Sequence, residues 1–201
     1  MKPFVLLIVA CLIGSVIPAT AVAAVKKESP AQIAAKKNFE SVKAASANGD
    51  AAKLRELADL YYAGKGVGRN YTEAYKSYLA SAEKGDVLSE ATVAWMFRNG
   101  QGVAKDYKKS MEWYTKAAEK GLVVAQLGLA EIYYNKVGLP KRDYATAYKW
   151  YLIASDLGSK DAKAFIPRMV QAVLKEPNVN AEQKAAAEKM AQDWLAAYAK
   201  K

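Results

Sequence analysis

The side chains that could do chemistry in this chain are carboxylates, lysines and aromatics. There are 20 Asp and Glu, 30 Lys and Arg, 13 Tyr, four Trp, one cysteine (Cys11) and no histidine. Zinc, copper and haem sites draw on His or Cys, and Ser-His or Cys-His nucleophiles need the imidazole. No metal, cofactor or catalytic residue is therefore expected. Asp59 and Glu131 would make an acid/base pair on one face. Among 20 acids some pair always falls so, and no nucleophile motif or phosphate-cradling loop accompanies this one. What remains is binding. Trp95, with Arg98 three residues on, and Tyr62 are the residue types that anchor interfaces.

The elements that would position them repeat. Gly49, Gly85, Gly121 and Gly158 recur at intervals of 36, 36 and 37 residues, and Ala82-Glu83-Lys84-Gly85 returns as Ala118-Glu119-Lys120-Gly121. A period in this range marks a solenoid, whose units bury their apolar faces only against one another. Each unit reads as helix A, a glycine loop and helix B. Helix A carries Leu57-Ala58 with Tyr61, then Val93-Ala94 with Phe97, then Leu129-Ala130 with Tyr133. The small residue admits the neighbouring helix and the aromatic fills the groove between helices. Gly64-Lys65-Gly66 and Gly100-Gln101-Gly102 end helix A through positive φ. The third loop, Lys136-Val137-Gly138, lacks the first glycine and carries an extra residue near Pro140.

Helix B shows a buried stripe at Tyr71, Ala74, Tyr75 and Tyr78, repeated through Tyr107, Tyr114 and Ala118 and through Tyr144, Tyr148, Tyr151 and Ala154. Tyr61, Tyr75, Tyr114 and Tyr151 are expected in the core. The repeat-end glycines are expected as helix C-caps, and Asp50 and Asp86 as N-caps of the next helix A. Residues 31–48, with Ile33, Ala34, Phe39, Val42 and Ala45 at helical spacing, read as a half-repeat cap, Pro30 suiting the first turn. Full repeats cover 49–84, 85–120 and 121–157, and capping helices 158–199. Pro167 stands where Ala58 and Ala94 stand, so that helix either kinks or begins near Pro167. Pro177-Asn178-Val179-Asn180 breaks the chain, and Asn180 with Gln183 forms a capping box for a last helix with Ala187, Met190, Ala191, Trp194, Leu195 and Tyr198 on one face.

Residues 1–23 read as a secretory signal peptide: Lys2, an apolar run from Phe4 to Ile17, and an Ala21-Val22-Ala23 cleavage site. The run is shorter than the roughly 20 residues of a spanning helix. Ile8-Val9-Ala10-Cys11 offers a second, lipoprotein-type site, disfavoured because it would leave a very short apolar core. Residues 24–30 form a flexible lead-in. The protein is thus expected in the periplasm or secreted, with its only cysteine removed and no disulfide. The formal charge of +10 points in such a compartment to acidic proteins, anionic lipid or acidic glycans rather than nucleic acid. Lysines that merely solubilise the outer helix faces explain it equally well.

The unit A-x-x-x-[LV]-[AG]-x-x-[YF]-x-x-G-x-G-V-x-x-[DN]-Y resembles the Sel1-like repeat, best in Ala125 to Tyr133 and in Trp113 to Gly121. Lys53 and Ser89 replace its leading Ala, and Lys136 and Pro167 also depart from it. The resemblance implies an all-α, tetratricopeptide-related α/α superhelix and adaptor work, in bacteria often exported and linked to envelope signalling, host contact or inhibition of a cognate protein. It implies no enzyme. In solenoids of this kind the A helices line the concave face. There the core pattern leaves Arg55, Asp59 and Tyr62 outward in the first repeat. Trp95 and Arg98 follow in the second (with Ala91), and Leu127, Glu131 and Tyr134 in the third. These eight are the candidate partner-binding residues of a monomer, with Trp95 at the centre unless it packs on the adjacent helix A. The alternative is a basic envelope-surface protein that binds anionic lipid or glycan, and a cell-wall glycan hydrolase comes third. The leader reading predicts a mature N-terminus within Val22 to Val25 when protein from the native host is sequenced. A chain starting at Met1, or a lipidated Cys11, would refute it.

Overall fold

The computed structural model describes residues 28–173 and 181–198. The leader at 1–23, residues 24–27 of the lead-in, and the break at Pro177-Asn178-Val179-Asn180 with its capping box lie outside them. Nine helices and no strand occur among the described residues: α1 (Pro30–Ser46), α2 (Ala51–Ala63), α3 (Tyr71–Glu83), α4 (Val87–Asn99), α5 (Tyr107–Glu119), α6 (Val123–Asn135), α7 (Tyr144–Asp156), α8 (Lys160–Val173) and α9 (Ala181–Tyr198). Each helix packs on its neighbour in the chain from α1 to α8, and α9 folds back onto α7. The result is an α/α superhelical solenoid in which α2, α4 and α6 are the A helices and α3, α5 and α7 the B helices.

Side-chain caps start most of these helices. Asp50 and Asp86 accept from the amides of Lys53 and Ser89, both at 2.8 Å. The B helices are capped in the same way by Asn70, Asp106 and Asp143, a role for the Asp or Asn before each Tyr that pattern reading had passed over. Ser29 and Gln32 close a capping box at α1. Helix α6 starts at Leu122 with no side-chain cap. The repeat-end glycines stand one residue beyond the expected place. The C-caps are Lys84, Lys120 and Leu157, and Gly85, Gly121 and Gly158 follow with φ of 90°, 84° and 96°.

The core is the repeated pattern made solid. Ala58, Val93, Ala94, Ala130, Ala74, Ala117 and Ala154 are fully buried, and Leu57, Leu129, Phe97, Tyr78, Tyr114 and Tyr151 nearly so. Tyr61 and Tyr75 are half-buried but hold edge-to-face contacts with Phe39 (5.2 Å) and Phe97 (5.5 Å). In α1 only Phe39 and Val42 of the expected stripe are deeply buried. Ile33 is 56% exposed, because α1 is a lone B-type helix with no preceding repeat to cover its first turns. Helix α8 begins at Lys160 and runs through Pro167, so it does not start at the proline. The expected apolar face of α9 falls on side chains outside those described. The backbone of α9 lies on α7, and the Tyr148 hydroxyl donates to Glu188 at 3.1 Å.

The loops fix the repeat spacing. The amide of each B-helix N-cap donates back to the carbonyl of the helix A aromatic: Asn70 to Tyr61, Asp106 to Phe97 and Asp143 to Tyr133, at 2.9 to 3.1 Å. At the second loop glycine the chain touches the N-terminal part of the preceding B-type helix. A Cβ on Gly102 would overlap the Tyr71 carbonyl oxygen, and one on Gly66 the Ala35 carbonyl. Lys136 takes the left-handed conformation (φ 60°, ψ 34°) that Gly64 and Gly100 take in the other loops, the only non-glycine to do so among the described residues. Gly102→Ala should therefore destabilise by about 2 kcal/mol or more, whereas Gly68→Ala, with nothing within 4 Å of its Cβ, should change stability by less than about 0.5 kcal/mol. Lys136→Gly should stabilise by roughly 0.5–1 kcal/mol, by relieving the left-handed strain. Urea melts of the three variants test this, and equal effects of the two Ala substitutions would refute the close-approach account.

Candidate functional site

The repeat register sets three columns across the A helices: Arg55, Ala91, Leu127; then Asp59, Trp95, Glu131; then Tyr62, Arg98, Tyr134. Two clefts open along them. The first, about 330 Å³, is lined by Tyr62, Tyr78, Leu88, Ala91, Thr92, Trp95, Tyr114, Leu122 and Val124. The second, about 390 Å³, lies one A helix further on, between α6 and α8, lined by Leu127, Glu131, Tyr134, Asn135, Tyr151, Asp161 and Phe165.

Trp95 stands 38% exposed in the first cleft. It meets Tyr62 edge to face at 6.4 Å, so it touches the adjacent helix A yet presents the rest of its surface outward. Tyr62 is itself wedged against Tyr71 at 5.1 Å, and the Asn99 side-chain amide donates to the Trp95 carbonyl at 2.8 Å. Ala91 is buried at the base of the cleft, not outward. Leu88 and Val124 flank the indole at 50% and 65% exposure. These two were missed by pattern reading. Both lie off the core stripe at the second position of their A helices, 36 residues apart, and that recurrence is the signal that marks them.

The charged candidates are engaged in ties to neighbouring helices. Arg55 pairs with Asp86 at 3.3 Å and Arg98 with Glu131 at 2.9 Å. Asp59 accepts the Tyr78 hydroxyl proton in a hydrogen bond. Asp59 and Glu131 thus have separate partners and do not form an acid/base pair. Within the second repeat a further ion pair lies deeper: Lys120 reaches Glu90, almost wholly buried, at 2.6 Å. Removing Lys120 would leave a buried charge uncompensated. In the second cleft Tyr134 packs edge to face on Tyr144 (5.7 Å) and Phe165 (5.4 Å), and Phe165 leans on Tyr151 at 4.8 Å. Leu127, Glu131 and Tyr134 all face this cleft, so the eight candidates divide between the two clefts and the ties around them. Asn135, Asp161 and Phe165 complete the second one and had not been foreseen.

Burial dominates the tyrosine acidities. It pushes the Tyr78 hydroxyl well above its usual range, and the bond to Asp59 adds to this. Burial also raises Tyr114, partly offset by Arg98. Tyr151 is raised to about 12 by burial, then by the charges of Glu131 and Tyr134. Among the described residues no group of three or more His, Cys, Asp and Glu could hold a metal, and no helix is long and apolar enough to cross a membrane.

Three stretches of the chain, 54–86, 89–122 and 123–159, match the Sel1 repeat, together more than half of its length. The chain belongs to the Sel1 repeat family. Sel1-repeat proteins mediate protein–protein contacts as scaffolds and are typically not enzymes. The crystal structure of a Sel1 repeat protein from Oxalobacter formigenes is similar at a TM-score of 0.64 and 26% identity, over 79% of this chain and 64% of that one. A second, c5321, a protective antigen present in uropathogenic Escherichia coli strains and displaying an SLR fold, matches at a TM-score of 0.46 and 26% identity, over 81% of this chain and 41% of that one. The chain therefore spans less than two thirds of either solved relative. No curated protein matches it by sequence.

The raised tyrosines make a pH prediction. A Tyr whose folded pKa lies at about 12, as for Tyr151 and Tyr148, against about 10 when unfolded, holds its proton more tightly in the native state. Its stabilisation is complete below pH about 10 and is lost as pH rises towards about 12. The melting temperature of this Sel1-repeat solenoid should fall through that window, less steeply in Tyr151→Phe. A melting temperature that stays flat there would refute it.

Proposed function

We propose that this Sel1-repeat protein is an exported adaptor that binds a protein partner through the groove formed by its A helices. The observation that carries the reading is the apolar patch of Leu88, Trp95 and Val124. These three side chains stand at 38 to 65% exposure on a face that the solenoid core does not need. Large apolar groups grouped around a cleft, with Tyr62 and Arg98 beside them, have the composition of an interface centre. The close contacts of the loop glycines fix the register of the A helices, and the ties of Arg55 and Arg98 add to it, so the groove is formed before a partner arrives and less ordering entropy is lost on binding. Export rests on the leader pattern of residues 1–23. Envelope signalling, host contact and inhibition of a cognate protein all fit an adaptor in that compartment.

A photo-reactive side chain placed at position 95 in the native host should capture the partner, and one at Lys108 on α5 should not. Trp95→Ala should then weaken binding of the captured protein by about 2 kcal/mol, roughly thirtyfold, with the helical signal and melting temperature little changed. Glu in place of Lys108 and Lys116 should matter less. If those charge reversals abolish capture while Trp95→Ala leaves it intact, the groove reading fails and the basic-surface reading replaces it.

A further inference from the structure

The charges of the chain are unevenly placed. Its formal charge is +10, and lysines dress the B helices, where Lys116 lies over Trp113 at 4.0 Å and Lys149 over Trp150 at 4.4 Å. The A-helix groove is different. Among the described residues the first cleft has no charged side chain in its wall, and the second has two, Glu131 and Asp161, both acidic. The arginines of the face are already committed, Arg55 to Asp86 and Arg98 to Glu131. Asp161 is exposed, occupies the position on α8 that Leu88 and Val124 hold on α4 and α6, and pairs with no cation among the described residues. Tyr134, Tyr151 and Phe165 line the same cleft, and a ring face, though not a ring edge, attracts a cation.

Resting on the groove reading, we infer that the partner presents a basic-apolar segment: an apolar side chain seated against Trp95, Leu88 and Val124, followed by a Lys or Arg that enters the second cleft beside Asp161. Both clefts border α6, so their centres lie about one helix spacing apart, roughly 10 Å. An extended chain covers that in about three residues. The body's positive charge does not forbid such a segment. At physiological ionic strength charges more than about 8 Å away are screened, so the lysines of the B helices count for little at the cleft, and Lys160 and Lys163, which flank Asp161 in the chain, form no ion pair with it among the described residues. An acidic segment of the same shape would bring its carboxylates against Asp161, since Glu131 and Arg98 already neutralise each other.

The test uses two short fluorescein-labelled peptides, each with Leu-Phe followed three residues on by either Lys-Arg or Glu-Glu, titrated by anisotropy into the full mature chain. The basic peptide should bind about tenfold or more tightly than the acidic one in moderate salt. Asp161→Asn should shrink the preference to within about threefold. Trp95→Ala should weaken the basic peptide without removing the preference. Equal binding of the two peptides, no measurable binding of the basic one, or a preference untouched by Asp161→Asn overturns the inference. If peptide binding still responds to Trp95→Ala while the preference is missing, only the charge inference falls. If it is indifferent to Trp95→Ala, the groove reading falls with it. Sedimentation that shows a dimer dispersed by Trp95→Ala would make a second copy of the chain the occupant and would likewise overturn the inference.

Discussion

The contact on which this solenoid depends is the approach of each loop to the preceding B-type helix. Gly66 touches the Ala35 carbonyl, Gly102 the Tyr71 carbonyl and Gly138 the ring of Tyr107, all with no room for a Cβ. Backbone meeting backbone at that range leaves the stacking distance little freedom, since a single methyl group would push the repeats apart. Everything beyond the loop inherits the setting. The same stacking brings Arg55 within reach of Asp86 and Arg98 within reach of Glu131, and it determines how wide the clefts between A helices stand. The ion pairs alone could not do this. They are partly exposed, and pairs of that kind contribute little. They trim a spacing that the glycines impose.

The third loop shows how the contact tolerates change. Lys136 replaces the first glycine and still adopts the left-handed conformation, at a local cost. The second glycine is retained, and its neighbour becomes the Tyr107 side chain instead of a carbonyl. The nearest atom there is the Tyr107 Cβ, which moves with its backbone, so the contact stays as close as in the other loops despite the extra residue near Pro140. The position that the fold gives up is the one that only ends a helix. The position it keeps is the one that sets the distance to the next repeat.

Much of this architecture was legible in the sequence because a repeat states its requirements several times. The core columns through Leu57, Ala58 and Tyr61 are written three times over, and the helix order followed from them. The ends were less legible. Ile33 fits a helical stripe, but a stripe says which face is apolar and not whether a neighbour exists to cover it. Helix α9 returns to α7 instead of stacking on α8, a choice of packing partner that no local pattern encodes. At the groove the column positions of Trp95, Arg98 and Tyr134 could be placed from the period. The ion pairs could not, since Arg98 meets Glu131 only across two repeats whose relative distance the period leaves unstated. Nor could Phe165 be foreseen. It reaches both Tyr134 and Tyr151 from a helix whose pattern is disturbed by Pro167.

Comparison of the repeats with one another separates what the fold needs from what it merely carries. Ala58, Ala94 and Ala130 are identical and fully buried, as packing between close helices demands. Asp59, Trp95 and Glu131 share one structural position, which holds a carboxylate in two repeats and an indole in the other. Packing therefore does not dictate that position, and each repeat is at liberty to put something different there. Leu88 and Val124 belong to a third kind. They repeat as apolar residues yet stand half or more exposed, where solvation favours polar side chains. Neither core packing nor solubility explains an apolar residue kept twice at an exposed position. A surface covered part of the time, as proposed for the groove, would. Because the two side chains flank Trp95, such a covering would fall on the same cleft that the column positions mark.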